Sequence, residues 1–169
     1  MSEEDWALWR AFSSMNRALG REIDRQLQRD AGISSADYSI LITLFEAPER
    51  RLRTGELAEL LTWEKSRVSH QIARMEGRGL VERRDCSEDA RGTWVVLTAE
   101  GRRSTLGAMR DHAAKLREIF FDQLADGERE ALRASAARIL DNISPAACEL
   151  IPAEPTEGRI EIAAEVARA

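Results

Sequence analysis

The stretch TGELAELLTWEKSRVSHQIARMEGRGLVERRDCSEDARGTWVVL, residues 54–97, carries three local patterns in close succession. Thr54 with Glu56 starts a short helix marked by Leu57, Ala58, Leu60 and Leu61, and Thr62 and Trp63 break its rhythm. A second helix is predicted from about Lys65 to Arg78, with Val68, Ile72 and Met75 on its buried side and Gly79 at its end. The period then changes to that of extended chain. Val81 to Arg84 and Thr93 to Leu97 are rich in β-branched or aromatic residues, and they flank a polar loop, Asp85 to Gly92, full of turn formers. Two helices about a tight break, followed by a β-hairpin, make a winged helix-turn-helix.

In that geometry the second helix enters the major groove of DNA, and the hairpin tip reaches the adjacent minor groove or the backbone. Lys65, Ser66, Arg67, Ser69, His70, Gln71 and Arg74 are assigned to the side of the helix opposite Val68, Ile72 and Met75. Arginine matches guanine O6 and N7, glutamine matches adenine, and serine and lysine hold phosphates. At the hairpin tip Asp89 stands two residues before Arg91. A carboxylate there can hold the guanidinium extended for a narrow, electronegative minor groove. Some side chains have two readings. Arg83 either reaches a phosphate or makes a structural ion pair with Asp85 or Glu82, and Arg84 is equally open. His70 is a base or phosphate contact or a plain polar surface residue. Trp63 packs against the turn or offers its indole N–H to a phosphate. A charged helix face alone is ordinary solvated surface; the hairpin and its Asp-x-Arg spacing turn the reading toward DNA.

Working outward, Leu8, Phe12, Met15, Leu19, Ile23 and Leu27 recur every three or four positions from Trp6 to about Arg29. That spacing predicts a long amphipathic helix with a narrow apolar seam suited to pairing with another helix, and Gly32 offers its stop. Ser35, followed by Asp37, is expected to cap a second helix through Leu41, Leu44 and Phe45, which Pro48 ends. Beyond the hairpin, Thr98 with Glu100 caps a helix through Leu106, Met109, Leu116, Phe120 and Leu124. Asp126 and Glu128 open a last one through Leu132, Ile139 and Ile143, closed by Pro145. Pro152, Pro155 and Gly158 mark a loose tail whose end (Ile160, Ile162, Val166) forms a weak helix or stays disordered. The fold class is mainly α with a small β-hairpin wing, an α+β arrangement.

Composition bounds the partners. The chain has 169 residues, 43% apolar and 33% charged, which suits one domain with a packed core under a charged surface. A formal net charge of −5 argues against nucleic acid at first sight. Yet only Lys65 and Lys115 are lysine among 25 basic residues, and the other 23 are arginine, the side chain suited to bidentate contacts. Residues 48–105 hold twelve basic and ten acidic side chains, a surplus of two, against a deficit of seven elsewhere. Binding to DNA must therefore depend on a few well-placed arginines. Cys86 and Cys148 match no metal-ligand spacing, and with His70 and His112 as the two histidines neither metal nor cofactor is expected. No apolar run is long enough to span a membrane and the N-terminus is acidic, so a cytoplasmic protein is expected. No nucleophile–base pair or phosphate loop suggests an enzyme.

Leu57-Ala58-Glu59-Leu60-Leu61, Lys65-Ser66-Arg67-Val68-Ser69-His70, Met75-Glu76-Gly77-Arg78-Gly79-Leu80-Val81, Asp89-Ala90-Arg91-Gly92 and Val96-Leu97-Thr98-Ala99-Glu100-Gly101 together resemble the MarR family of winged-helix transcriptional regulators. The resemblance runs from about Trp6 to Ile143, and the Asp-x-Arg wing followed by Leu-Thr-x-x-Gly is its specific part. It implies a homodimer on a near-palindromic, double-stranded operator, most often as a repressor. It also implies an organisation into a dimerisation helix (residues 1–33), a DNA-binding lobe (34–98, recognition helix about 65–78, wing about 81–97), C-terminal dimerisation helices (99–147) and a tail (148–169). Family members often bind small aromatic effectors between the dimer helices and the DNA-binding lobe. Trp9, Phe12, Tyr38, Phe45 and His112 are the candidates for lining such a cavity; the plainer reading is that Trp6, Trp9 and Phe12 fill the dimer core. Oxidant-sensing members use a cysteine near the N-terminal end, and none precedes Cys86 here. The alternative function is a winged-helix module that binds protein and not DNA.

Overall fold

The computed structural model describes residues 1–85 and 93–143, and it is mainly helical with one small antiparallel sheet. The first helix, α1 (Glu3–Ala31), begins at a capping box in which the Ser2 hydroxyl accepts from the Asp5 amide and the Asp5 carboxylate accepts from the Ser2 amide. It ends at Gly32, whose φ of 64° is the left-handed conformation that glycine adopts without strain. The next helix, α2 (Ser35–Glu46), corrects the expected cap. Ser34 is the N-cap, because the box pairs Asp37 with the residue three before it. Ser35 lies inside the helix, and its hydroxyl donates instead to Asp24 of α1 at 2.8 Å.

Between α2 and the helix-turn-helix lies a strand that periodicity does not reveal. Glu49 and Arg50 turn the chain with φ of 54° and 56°, and β1 (Arg51–Arg53) follows. Three residues are too few for an alternation to register in sequence. Then come α3 (Thr54–Leu60), α4 (Lys65–Glu76), β2 (Val81–Asp85) and β3 (Thr93–Leu97). The α3 helix starts at Thr54 as expected, with Arg53 at the capping position, where its amide donates to the Glu56 carboxylate at 2.6 Å. The sheet runs in the order β1-β3-β2, all antiparallel, so the hairpin gains a third strand. The next helix, α5 (Ala99–Ile119), stops short of the expected Leu124, because Phe120 leaves helical geometry at φ −129° and residues 121–123 form a single tight turn. The last described element is α6 (Glu128–Ile143).

One core joins the C-terminal end of α1, α2, α3, the inner face of α4, the sheet and the start of α5. Leu27, Ile40, Leu41, Leu44, Phe45, Leu57, Val68, Ile72, Met75 and Val95 are fully buried there. The Leu-Thr-x-x-Gly motif seats α5 on this core. The Thr98 hydroxyl accepts from the Gly101 amide and donates to the Gly79 carbonyl at 2.7 Å. A Cβ on Gly101 would lie 2.0 Å from the Leu80 carbonyl oxygen, so no larger residue fits.

The other end of the chain is differently built. On α1, Trp6, Leu8, Trp9, Phe12 and Met15 are exposed, and no residue of α6 is buried; Ile139 and Ile143 are 60% and 72% exposed. Among the described residues no helix is long and apolar enough to cross a membrane. Pro145, Cys148 and the tail, like Cys86, Asp89 and Arg91 of the hairpin tip, lie outside the described residues.

Candidate nucleic-acid interface

The turn between α3 and α4 fixes how α4 is presented. Thr62 adopts φ 52°, and the Trp63 amide returns to the Ala58 carbonyl at 2.9 Å, which ends α3 and redirects the chain. Val68, Ile72 and Met75 then bury one side of α4. Lys65, Ser66, Arg67, Ser69, His70 and Arg74 are exposed, and among the described residues Lys65, Arg67, His70 and Arg74 make no ion pair. Glu64, at the capping position, makes no side-chain cap bond. The amides of the first turn therefore face outward without an intrahelical partner, an arrangement that favours anions.

Two of these side chains are held. The Arg67 guanidinium lies 3.9 Å from the centroid of the Trp63 ring, so Trp63 packs on the turn and braces the arginine at once. The Ser69 hydroxyl donates to the Lys65 carbonyl one turn back.

Gln71 departs from its expected place. It follows Val68 by three residues and precedes Met75 by four, which sets it beside the buried stripe and not opposite it. Its side-chain amide donates to Asp37 Oδ1 at 2.6 Å. The Arg78 guanidinium donates to Asp37 Oδ2 at 2.8 Å and to the Gly32 carbonyl at 2.6 Å. One carboxylate of α2, only 2% exposed, thus holds α4 at its middle and just past its end. Burial works to raise the Asp37 carboxyl, but the bonds from Ser34, Arg78 and Gln71 outweigh it, and the group lies below the ordinary aspartate range.

Arg83 is also drawn inward. Its amide and guanidinium both donate to the Glu76 carboxylate, and the guanidinium reaches the Ser69 carbonyl at 3.4 Å. Its partner is neither Asp85 nor Glu82; Glu82 pairs with Arg84 instead. Arg83 is a strut from the hairpin to α4, which no sequence spacing signals because the partner lies on another element.

The five residues considered for an aromatic ligand are not brought together. Trp9 and Phe12 stack at 6.0 Å on the outer face of α1. They line an open groove of about 1250 Å³ with Leu8, Met15, Leu132 and Ile139. Phe45 is wholly buried in the core, with Arg50 over its ring at 3.9 Å, and does not line that groove. Tyr38 and His112 pack on each other at 5.0 Å between α2 and α5, apart from the groove. Among the described residues no cluster of His, Cys, Asp and Glu is placed to hold a metal ion.

Comparison with known proteins agrees with this architecture. The MarR family model matches residues 33–93. The structure of Sco3205, a MarR family transcriptional regulator from Streptomyces coelicolor in complex with DNA, is 35% identical with a TM-score of 0.81, over 86% of this chain and 95% of that one. AbsC, a MarR family transcriptional regulator from the same organism, is 34% identical with a TM-score of 0.79, over 85% and 96%. The HTH-type transcriptional regulator YdgJ of Bacillus subtilis is 27% identical over 143 residues, 85% of this chain and 82% of that protein.

Proposed function

The chain belongs to the MarR family, whose members are transcriptional regulators and not enzymes, and from that premise we propose that it is a homodimeric repressor that binds a near-palindromic DNA operator. The observation that carries the reading is the exposed face of α4. Arg67, His70 and Arg74 project from a helix whose opposite side is locked into the core, and Lys65 is exposed at its start. In this reading α4 enters the major groove, with Arg67 reading a base and Lys65, Ser66, Ser69 and Arg74 setting register on phosphates. His70 sits at the centre of the same face. The Asp89–Arg91 tip enters the minor groove. Gln71 and Arg83 position the helix and the wing and do not contact DNA.

Dimerisation is supported by the apolar groove between α1 and α6. Leu8, Trp9, Phe12, Met15, Ile139 and Ile143 all line it and are all exposed, a concentration of large apolar side chains of the kind that marks a protein interface. A second copy of the chain covering it would form a two-fold interface. The two α4 helices would then meet successive major grooves, roughly 34–36 Å apart. Residues 1–33 and 99–147 take the dimerisation role in this scheme and residues 34–98 form the DNA-binding lobe. The reading invokes no effector, since the candidate lining residues fall in separate places.

Selection of bound sequences from random duplex DNA tests the proposal. A two-fold symmetric motif with half-sites one helical turn apart is the expected result. Recovery of no motif, with no salt-dependent binding to any fragment, would leave the protein-binding module as the better reading.

A further inference from the structure

The outward face of the sheet carries arginines that the recognition scheme does not use. The register sets Arg53, Trp94 and Arg84 side by side in one row across β1, β3 and β2, and Arg51, Val96 and Glu82 in another. Side chains two residues apart on a strand share a face, so both rows project from the same side. The opposite side holds Leu52, Val95 and the core. The guanidinium carbons of Arg51 and Arg53 lie 4.7 and 4.8 Å from the Trp94 ring centroid. Stacking on an indole restrains a guanidinium while leaving N–H groups around its edge to donate. Arg51 also pairs with Glu49 at 2.6 Å, and Arg84 pairs with Glu82. The Glu49 and Glu82 side chains are themselves 71% and 43% exposed. Exposed pairs of this kind exchange readily for another anion.

The position of the patch identifies its partner. Asp85 and Thr93 form the last described pair of the hairpin, and the Arg53–Trp94–Arg84 row comes next. The three arginines therefore lie on one face of the stem of the wing, next in register to the tip assigned to the minor groove. A protein docking there would have to bury charged guanidinium groups; a phosphate backbone meets them in solvent, with the geometry arginine suits best.

We propose that Arg51, Arg53 and Arg84, braced by Trp94, form a second backbone site that grips the phosphates flanking the minor groove entered by the wing. This rests on the DNA-binding reading above and extends it: the site carries no sequence information, and it lengthens the footprint of each protomer outward from its half-site.

The test uses the full chain and a duplex carrying the motif it selects. Affinity is followed against salt by fluorescence anisotropy, and the footprint is mapped by hydroxyl-radical cleavage. For the double variant Arg51→Gln with Arg53→Gln, affinity at fixed salt falls about 10- to 100-fold. The slope of log K against log salt becomes shallower by about 0.9 for each phosphate that is no longer neutralised. The footprint shortens at both outer ends and the selected motif is unchanged. Arg84→Gln gives a smaller change of the same kind. Trp94→Leu keeps every charge, so it weakens binding with little change in slope. A double variant with the slope and footprint of the parent overturns the inference while leaving the DNA reading intact. A changed motif also overturns it, since the face would then read bases. If the parent itself binds no DNA, the DNA reading fails and this inference with it.

Discussion

The side-chain amide of Gln71 donates to the carboxylate of Asp37 at 2.6 Å, across 34 positions of sequence. The middle of the recognition helix is thereby fixed to the first turn of α2, and Arg78 adds a second attachment to the same carboxylate. In the proposed recognition scheme the rotation of α4 about its own axis decides which side chains meet the bases, and the bonds to Asp37 restrain that rotation. In that scheme Gln71 serves alignment and not readout.

Gln71→Ala is therefore expected to lower unfolding stability by about 1 kcal/mol, the ordinary worth of one such bond. It should leave the selected DNA motif unchanged. Asp37→Ala should cost more, about 2–3 kcal/mol, because it removes the α2 cap and leaves Arg78 and Gln71 without their acceptor. Urea unfolding measures both. Loss of preference at one base position in Gln71→Ala would return that residue to the readout.

Titration of three neighbouring groups gives the fold a pH profile. Burial holds His112 below its ordinary value of 6.5, and its Nδ1 has no hydrogen-bond partner. The unfolded chain then binds the proton more readily, so stability is full above 6.5 and declines as pH falls from there. Asp37 acts in the same direction lower down: its contribution is present above 3.8 and is lost as pH falls below that value. Tyr38 acts in the opposite sense. Burial, with the charge of Glu46, pushes its hydroxyl up to about 12, so stability is lost as pH rises from 10 toward that value. Thermal melts across pH should show these three limbs. His112→Gln should flatten the limb that begins near 6.5, and an unaltered limb would assign it to another group.

Gly101→Ala should destabilise by about 3 kcal/mol or more, since its Cβ would overlap the Leu80 carbonyl at 2.0 Å and α5 would have to lift off the core. A melting temperature equal to that of the parent would show that α5 can shift without cost.

These residues mark how far the sequence can be read. The helix-turn-helix, the hairpin and the long flanking helices are legible because each has its own period or cap, and Leu-Thr-x-x-Gly is legible as a motif. Its reason, a helix start pressed against the Leu80 backbone, needs the third dimension. Strand β1 escapes notice because Arg51, Leu52 and Arg53 are too few to establish a period. The exposed cations Arg67 and Arg74 are placed correctly on the outer side of α4, since a charged side chain on that face has few alternatives, whereas Lys65, three residues before Val68, is exposed because it stands at the helix start. Gln71 is not placed correctly, because an amide beside the apolar stripe can turn inward once another element supplies a carboxylate, and Arg83 follows its ion-pair reading with a partner that its own strand does not contain. Asp37 and Glu76 supply them from outside any local window. The aromatic residues fail as a set for a related reason: composition says nothing of which helix face each occupies.

Trp9→Glu combined with Ile139→Glu places charges in the groove between α1 and α6. Burying them in a dimer interface without partners would be costly, so the double variant should sediment as a monomer. The core that joins the DNA-binding lobe to the adjoining ends of α1 and α5 does not include these positions and should remain folded, as circular dichroism would report. Binding to the operator should fall steeply, because one half-site contributes only part of the contacts. A variant that remains dimeric would move the interface elsewhere on the molecule.

In the proposed recognition scheme, Arg67 is the residue on which base reading most depends. It lies on the exposed face, three residues before His70, and its guanidinium is held over Trp63 at 3.9 Å before any DNA arrives. An arginine restrained in this way loses less freedom on binding than one in open solvent. Arg67→Ala should cost about 1–3 kcal/mol in operator affinity and flatten preference at one position per half-site. Arg67→Lys should restore little of it, because an ammonium has neither the fork that matches guanine nor the plane that stacks on indole. Trp63→Leu separates the two effects: it removes the brace and leaves the fork, so affinity should fall less than in Arg67→Ala while the motif stays the same. Binding titrations paired with sequence selection distinguish these outcomes. Full affinity and full preference in Arg67→Ala would move the reading of bases to another side chain of the face, with His70 the next candidate.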